Sequence, residues 1–262
     1  MKLADRVCVI TGGARGIGEA IAARFIAEGA TVAILDLDLA AAEATAASLG
    51  ATAYQCDVSA RPSVENAINA VIHAHGRVDV LCNNAGIGLA GPSETFSDAD
   101  WDTSIGVMQT GVFLCSQIVG RHMLQRGRGT IVNTSSMNAW EAFPMRLAYC
   151  AAKAAVVAMT QVLAIEWADR GIRVNAVAPG VTRTALVQKG VDDGVIDVAA
   201  YRARTPMHRF AEPDEIARAV LFLACDEDSS FVTGTTLCAD GGWSAMGWIY
   251  KEDAAAPASP AR

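Results

Sequence analysis

The chain has 262 residues, of which 52% are hydrophobic and 19% charged, a length that suits one α/β domain with a substantial core. Its net charge of −7 leaves no nucleic-acid footprint, and seven cysteines without a C-x-x-C spacing fit neither a disulfide scaffold nor a zinc site. No uncharged run reaches the roughly 20 residues of a membrane helix, and Met1 to Arg6 leads straight into a strand without a signal sequence, so the expectation is a cytoplasmic protein with no membrane partner and no metal.

Arg6-Val7-Cys8-Val9-Ile10-Thr11 predicts the first strand, and the glycine-rich stretch after it opens a helix over 16–28. Gly12, Gly16 and Gly18 permit a tight turn and let a pyrophosphate approach the helix N-terminus, where free N–H groups and the dipole favour an anion. Such a turn is weak evidence by itself; the strand before it and the helix after it are the context the motif requires. A second strand, Thr31 to Asp36, ends in an acid eighteen residues beyond Gly18. A carboxylate there accepts the hydroxyls of an adenosine ribose and repels a 2′-phosphate, which points to NAD rather than NADP. Arg15 is the counter-signal, since an arginine in the glycine loop can meet a 2′-phosphate. The next strand, from Ala53 to Val58, brings Asp57 either to the adenine amine or to a turn cap. Val78 to Gly86 ends in Asn83-Asn84-Ala85-Gly86, small and amide residues that let a cofactor pass close to backbone.

Thr130 to Ser136 predicts a buried strand ending in two hydroxyls, thirteen residues before Tyr149. A hydroxyl at that end can hold a substrate oxygen, and the residues alone do not separate Ser135 from Ser136. An apolar helix follows, running to about Asp169, with Tyr149 and Lys153 four apart on one face. At pH 7 a phenol is about one part in a thousand ionised, a deficit of roughly 4 kcal/mol. An ammonium about 4 Å away contributes on the order of 4 kcal/mol at an effective dielectric near 20. Tyr149 thereby becomes a candidate acid/base near neutrality. Ile172 to Ala178 predicts the next strand, stopped by Pro179-Gly180. Residues 182–210 are polar without a strong period and read as a mobile lid. An amphipathic helix over 212–224 and a strand over 235–239 complete a single domain over 1–250, and residues 251–262 read as a disordered tail. Strands and helices alternate throughout, so the expected fold class is α/β, one doubly wound Rossmann-type domain with a central parallel sheet and helices on both faces.

A nucleotide at one end and a proton-exchanging pair at the other specify a nicotinamide-dependent alcohol/carbonyl oxidoreductase. A methyltransferase shares the glycine turn and Asp36 but has no use for Tyr149 and Lys153. A P-loop nucleotidase is excluded because no Gly-Lys-Ser/Thr follows the glycines.

From about Ala4 to Gly242 the chain resembles the short-chain dehydrogenase/reductase family, in its shorter subclass. The resemblance is carried by the glycine motif, Asp57, Asn83-Asn84-Ala85-Gly86, Ser136, Tyr149, Lys153 and Pro179-Gly180, in order and at family spacing. It implies that Ser136 is the catalytic serine, Tyr149 the acid/base, and Lys153 both a ribose ligand and the group that lowers the tyrosine pKa. Cofactor contacts implied in the same way are Ile17, Asp36, Val58, Asn84, Val181 and Thr184, beside Gly12, Arg15, Gly16, Gly18, Ala85, Gly86, Pro179 and Gly180. The implied cofactor is NAD, the implied partners a small alcohol or carbonyl compound and three further copies of the chain. One position departs: the family's catalytic asparagine falls at Met108, which motivates a second reading, a catalytically impaired NAD-binding regulatory or scaffolding protein. Gln109 is adjacent but points about 100° away on a regular helix.

In doubly wound sheets ligands sit beyond the carboxyl ends of the strands, so the segments after Gly86, Ser136 and Gly180 are expected to line the substrate pocket. They offer Leu89, Met137, Asn138, Trp140, Phe143, Leu186 and Val187, with Glu141, Arg146 and Arg183 as polar candidates. Trp243, Trp248 and Tyr250 either close the pocket or bury a subunit interface. An aromatic wall with few fixed charges suits a cyclic or bulky secondary alcohol, unless Arg146 or Arg183 clamps an anion.

Overall fold

Short apolar runs at regular intervals become parallel strands, and the segments between them become the covering helices. In chain order these are β1 (Val7–Thr11), α1 (Gly16–Ala27), β2 (Thr31–Asp36), α2 (Leu39–Leu49), β3 (Thr52–Gln55), α3 (Arg61–His75), β4 (Val80–Asn83), α4 (Asp98–Ile105), α5 (Gly111–Arg126), β5 (Gly129–Thr134), α6 (Leu147–Trp167), β6 (Ile172–Pro179), α7 (Ala185–Asp192), α8 (Val198–Arg204), α9 (Pro213–Ala224), α10 (Asp226–Ser229) and β7 (Thr236–Ala239). The computed structural model describes residues 1–247, so the predicted tail, Trp248 and Tyr250 lie outside the described residues.

The seven strands form one parallel sheet in the order β3-β2-β1-β4-β5-β6-β7. The chain leaves β1 toward one edge and returns at β4 toward the other, which opens a crevice beyond the carboxyl ends of β1 and β4. Both faces are covered, so alternate residues of each strand enter two separate cores. Cys8, Ile10, Val32 and Ile34 pack with Ile21 and Phe25 of α1 and Ile216 and Val220 of α9. Val9, Ala33, Leu35 and Leu81 pack on the other face with Ile68 of α3 and Cys115 and Val119 of α5. At the amino end of the sheet the buried carboxylate of Asp79 accepts from Val7 N at 2.9 Å, Arg77 Nε at 2.8 Å and Arg126 Nη2 at 3.0 Å. Burial pushes that carboxyl's pKa up, but the Val7 N–H and the two guanidinium groups outweigh it and hold the pKa below the usual value.

Residues 182–210 are more ordered in secondary structure than their composition predicts. They contain α7 and α8, whose first turns are capped by Thr184 and Asp197. One further element, α6 with the turn after it (Leu147–Arg170), is long and apolar enough to cross a membrane by length and composition, yet it carries the buried Lys153 and packs beside β6.

Candidate active site

The glycine loop turns because its residues leave no room for anything larger. Gly12 and Gly16 take φ of +62° and +60°, and a Cβ on Gly12 would stand 2.7 Å from Ala85 Cα. A Cβ on Gly18 would lie 2.1 Å from Gly12 O, so helix and loop pack backbone to backbone. Arg15 precedes α1 without a side-chain cap, which leaves the first-turn N–H groups free to receive an anion. Thr184 faces this loop from the other bank, its Cγ2 3.3 Å from the position a Gly16 Cβ would take. Ile17 is half-buried against the first core. A pyrophosphate therefore fits the cradle by its shape and its unspent donors.

Asp36 ends β2 at the rim of the same crevice. Its Oδ2 accepts from Ala14 N at 3.1 Å and its Oδ1 from Asp38 N at 3.1 Å. Arg15 is ion-paired to Asp38, so the sequence's one counter-signal is held by a carboxylate on the β2–α2 turn. Asp57 caps its own turn with one oxygen: its Oδ1 accepts from Ser59 N at 2.9 Å and Ser59 Oγ at 2.6 Å. Val58 beside it is buried against Gly111, where a Cβ would come within 2.9 Å of Val58 Cγ2.

Asn84 donates from Nδ2 to Thr11 O at 3.2 Å and Gly12 O at 3.0 Å, tying β4 to the glycine loop. Thr11 was not singled out from sequence, yet its Oγ1 accepts from both Asn84 N at 3.0 Å and Ala85 N at 3.1 Å. A hydroxyl at the last strand position before the glycines was the available signal. Gly180, after Pro179, donates to Ala239 O at 3.0 Å, and Val181 O accepts from Ala211 N at 2.9 Å. Asp240, also missed, caps the turn after β7 by accepting from Gly242 N and Ser244 N, each at 2.9 Å.

At the other end of the crevice the two serines separate. Ser135 Oγ donates to Lys153 O at 2.9 Å and braces the helix. Ser136 is the serine that lowers the pKa of the Tyr149 phenol; its hydroxyl accepts from Asn138 N at 3.1 Å and donates to Asn138 Oδ1 at 3.3 Å. Lys153 is buried, lies 5.7 Å from the centre of the Tyr149 ring and donates from Nζ to Thr134 O at 2.7 Å. Burial lowers its pKa to about 8. Here the electrostatics differ from the sequence expectation. Burial raises the Tyr149 pKa, and the opposing influences are Ser136 and the Arg146 guanidinium, with no such effect from Lys153.

Met108 is 1% exposed, and its Cγ and Lys153 Nζ lie 4.0 Å and 3.9 Å from the position a Gly86 Cβ would take. Its backbone is not regular α-helix. Gly106–Thr110 forms a π-helical turn between α4 and α5, so the expected 100° between Met108 and Gln109 does not describe this segment.

The pocket candidates divide. Met137 and Asn138 are buried, Leu89, Phe143 and Val187 half-buried, and Trp140 and Leu186 exposed. Phe143, Tyr201 and Trp243 form an aromatic cluster with ring centres 5.5–5.9 Å apart, which joins the segment after Ser136 to α8 and to the turn after β7. Arg204 covers the Trp243 ring at 4.7 Å. Trp243 therefore packs within this chain. Glu141 faces Arg204 at 4.0 Å, and Arg183 is paired with Glu212 at 3.0 Å.

A family model described as Enoyl-(Acyl carrier protein) reductase matches residues 12–244. The chain is 42% identical over 248 residues to the D-threitol dehydrogenase of Mycolicibacterium smegmatis, covering 93% of this chain and 94% of that one. It is 38% identical over 248 residues to the NAD-dependent glycerol dehydrogenase of Listeria innocua, covering 93% and 95%. A crystal structure of 3-ketoacyl-(acyl-carrier-protein) reductase from Brucella melitensis complexed with NADH superposes with a TM-score of 0.87 at 35% identity, covering 92% and 99%. The chain belongs to the short-chain dehydrogenase/reductase family and is an oxidoreductase of that family.

Proposed function

We propose that the protein is an NAD(H)-dependent oxidoreductase that interconverts a secondary alcohol and a ketone, with Tyr149 exchanging the proton. The observation that carries this reading is the juxtaposition, on one face of α6, of the Tyr149 phenol and the buried Lys153 ammonium, opposite the Ser136 hydroxyl. NAD, when bound, supplies the two-electron acceptor. The glycine loop and the free first-turn N–H groups of α1 would hold its pyrophosphate, and Asp36 its adenosine ribose. Ser136 holds the substrate oxygen, and Tyr149 takes the proton from that oxygen during oxidation and returns it during reduction. The Ser136 hydroxyl and the Arg146 guanidinium oppose the burial that raises the Tyr149 pKa, and Lys153 would hold the nicotinamide ribose.

The named substrates of the two relatives, threitol and glycerol, support a carbinol flanked by further hydroxyls as the first class to assay. Exposed Phe113, Val162 and Ile165 on α5 and α6 support assembly through that face, in a homotetramer.

Reduction of NAD by a panel of polyols, cyclic alcohols and hydroxy acids tests the activity. Tyr149→Phe should lose nearly all turnover while titrating NADH normally, because the phenyl ring packs alike and has no transferable proton. Substantial turnover in that variant would remove Tyr149 from the mechanism. Asp36→Ala should narrow a preference for NAD over NADP; equal or faster wild-type turnover with NADP would make Arg15 the determinant instead.

A further inference from the structure

Arg146 immediately precedes α6, and with Tyr149 and Lys153 it completes an i, i+3, i+7 stripe on one face of the helix. Met145 before it holds φ of +64°, a left-handed conformation that a non-glycine residue keeps only where its surroundings fix it. Two hydrogen bonds fix it here to the loop after β4: Gly91 N donates to Met145 O at 3.0 Å, and Arg146 Nη1 donates to Gly88 O at 3.2 Å. A Cβ on Gly88 would stand 3.2 Å from Leu186 Cδ2 and 3.7 Å from Arg146 Nη1. The guanidinium thus lies where the loop after β4, the start of α6 and α7 converge.

Arg146 is half-buried, and among the described residues no carboxylate oxygen lies within ion-pair distance of it, whereas Arg183 and Arg204 face Glu212 and Glu141. A guanidinium has five N–H donors and no acceptor. With one donor used on Gly88, the others are available to oxygen acceptors on a substrate held beside Tyr149, three residues along the chain.

On the dehydrogenase reading given above, we propose that Arg146 is the specificity-determining residue of the cleft, donating to an acceptor oxygen on the carbon next to the reacting carbinol. The substrate class is then a vicinally oxygenated alcohol, a diol or a hydroxy acid, rather than a simple alcohol. The test uses isopropanol, propylene glycol and lactate, which share one three-carbon skeleton and one reacting carbon. Wild type should show a kcat/KM at least tenfold higher for propylene glycol or for lactate than for isopropanol, and the preferred one identifies the acceptor as hydroxyl or carboxylate. Arg146→Leu should collapse that ratio, mainly through KM, and Arg146→Lys should restore part of it. A wild type that turns over all three without preference, or an Arg146→Leu variant that loses activity on all three in proportion, would overturn the assignment and leave Arg146 as a brace for Gly88. Failure of every alcohol in the wider panel to reduce NAD would overturn the dehydrogenase reading and this one with it.

Discussion

Lys153 sits where a cation is disfavoured, and that has a measurable signature at the scale of one residue. Its pKa is about 8 in the folded chain against 10.5 for an ordinary lysine. Between those values the unfolded chain binds a proton that the folded chain has released, so this residue's contribution to stability grows as pH rises through the window and is lost as pH falls through 8. Lys153→Met abolishes the effect. The difference in unfolding free energy between wild type and variant should therefore shift toward wild type between pH 8 and 10.5, measured by denaturant titration; a constant difference would mean that the ammonium is not destabilised by burial. Met108 gives a second prediction. Its side chain fills the space beside Gly86 and Lys153, and its backbone is already in a π-turn, so Met108→Asn should change kcat by less than about tenfold, or about 1.4 kcal/mol of barrier. A gain of a hundredfold or so would instead indicate a natural protein impaired in proton transfer, and favour the regulatory reading.

Among the elements, most strands were legible because they are short apolar runs bounded by glycine, proline or a polar turn, and Thr31–Asp36 was bounded to the residue; β3 is polar and half-exposed and ends at Gln55, short of the expected Val58. The helices within residues 182–210 were not legible. Only eight and seven residues long, α7 and α8 are too short for a clear period, and Gly190 and Gly194 interrupt the pattern; the capping residues Thr184 and Asp197 were the readable cues. The π-turn at Gly106–Thr110 has no compositional signature, since it is set by how α4 and α5 must splice beside α6. Within the site, spacing placed Tyr149 with Lys153 and the family resemblance pointed to Ser136; the fold adds that Ser135 is spent on Lys153 O and reveals Thr11 as the clasp between β1 and β4. The clamp that joins β1, β4 and α5 gives the prediction at this scale. Asp79→Asn should lower stability by about 2 kcal/mol or more, because a buried carboxylate is lost while Arg77 and Arg126 remain partly buried. The Asp79 pKa is held below its ordinary value, so its stabilisation is present above that value and lost as pH falls. Melting curves should accordingly show a smaller gap between wild type and variant in acid than at neutrality.

For the molecule as a whole, the outward face of α5 and α6 carries Phe113 at 44%, Val162 at 52% and Ile165 at 81% exposure, on helices whose other faces are in the core. Ile165→Glu should reduce the assembly state measured by light scattering while NADH binding to the isolated subunit survives; an unchanged mass would place the interface elsewhere. The sheet order has a further consequence, for the making of the chain. Strands β3, β2, β1 and β4 are all complete by Asn83, so the half that would hold the nucleotide leaves the ribosome before the residues of the proton-exchanging end are translated. The last strand is the opposite case. β7 pairs only with β6, and its Ala239 O receives Gly180 N. A nascent chain that stops short of Thr236 would leave the edge of β6, an apolar eight-residue strand, bare. Such an edge is a template for pairing with another unfinished copy, and β7 is the piece that closes it.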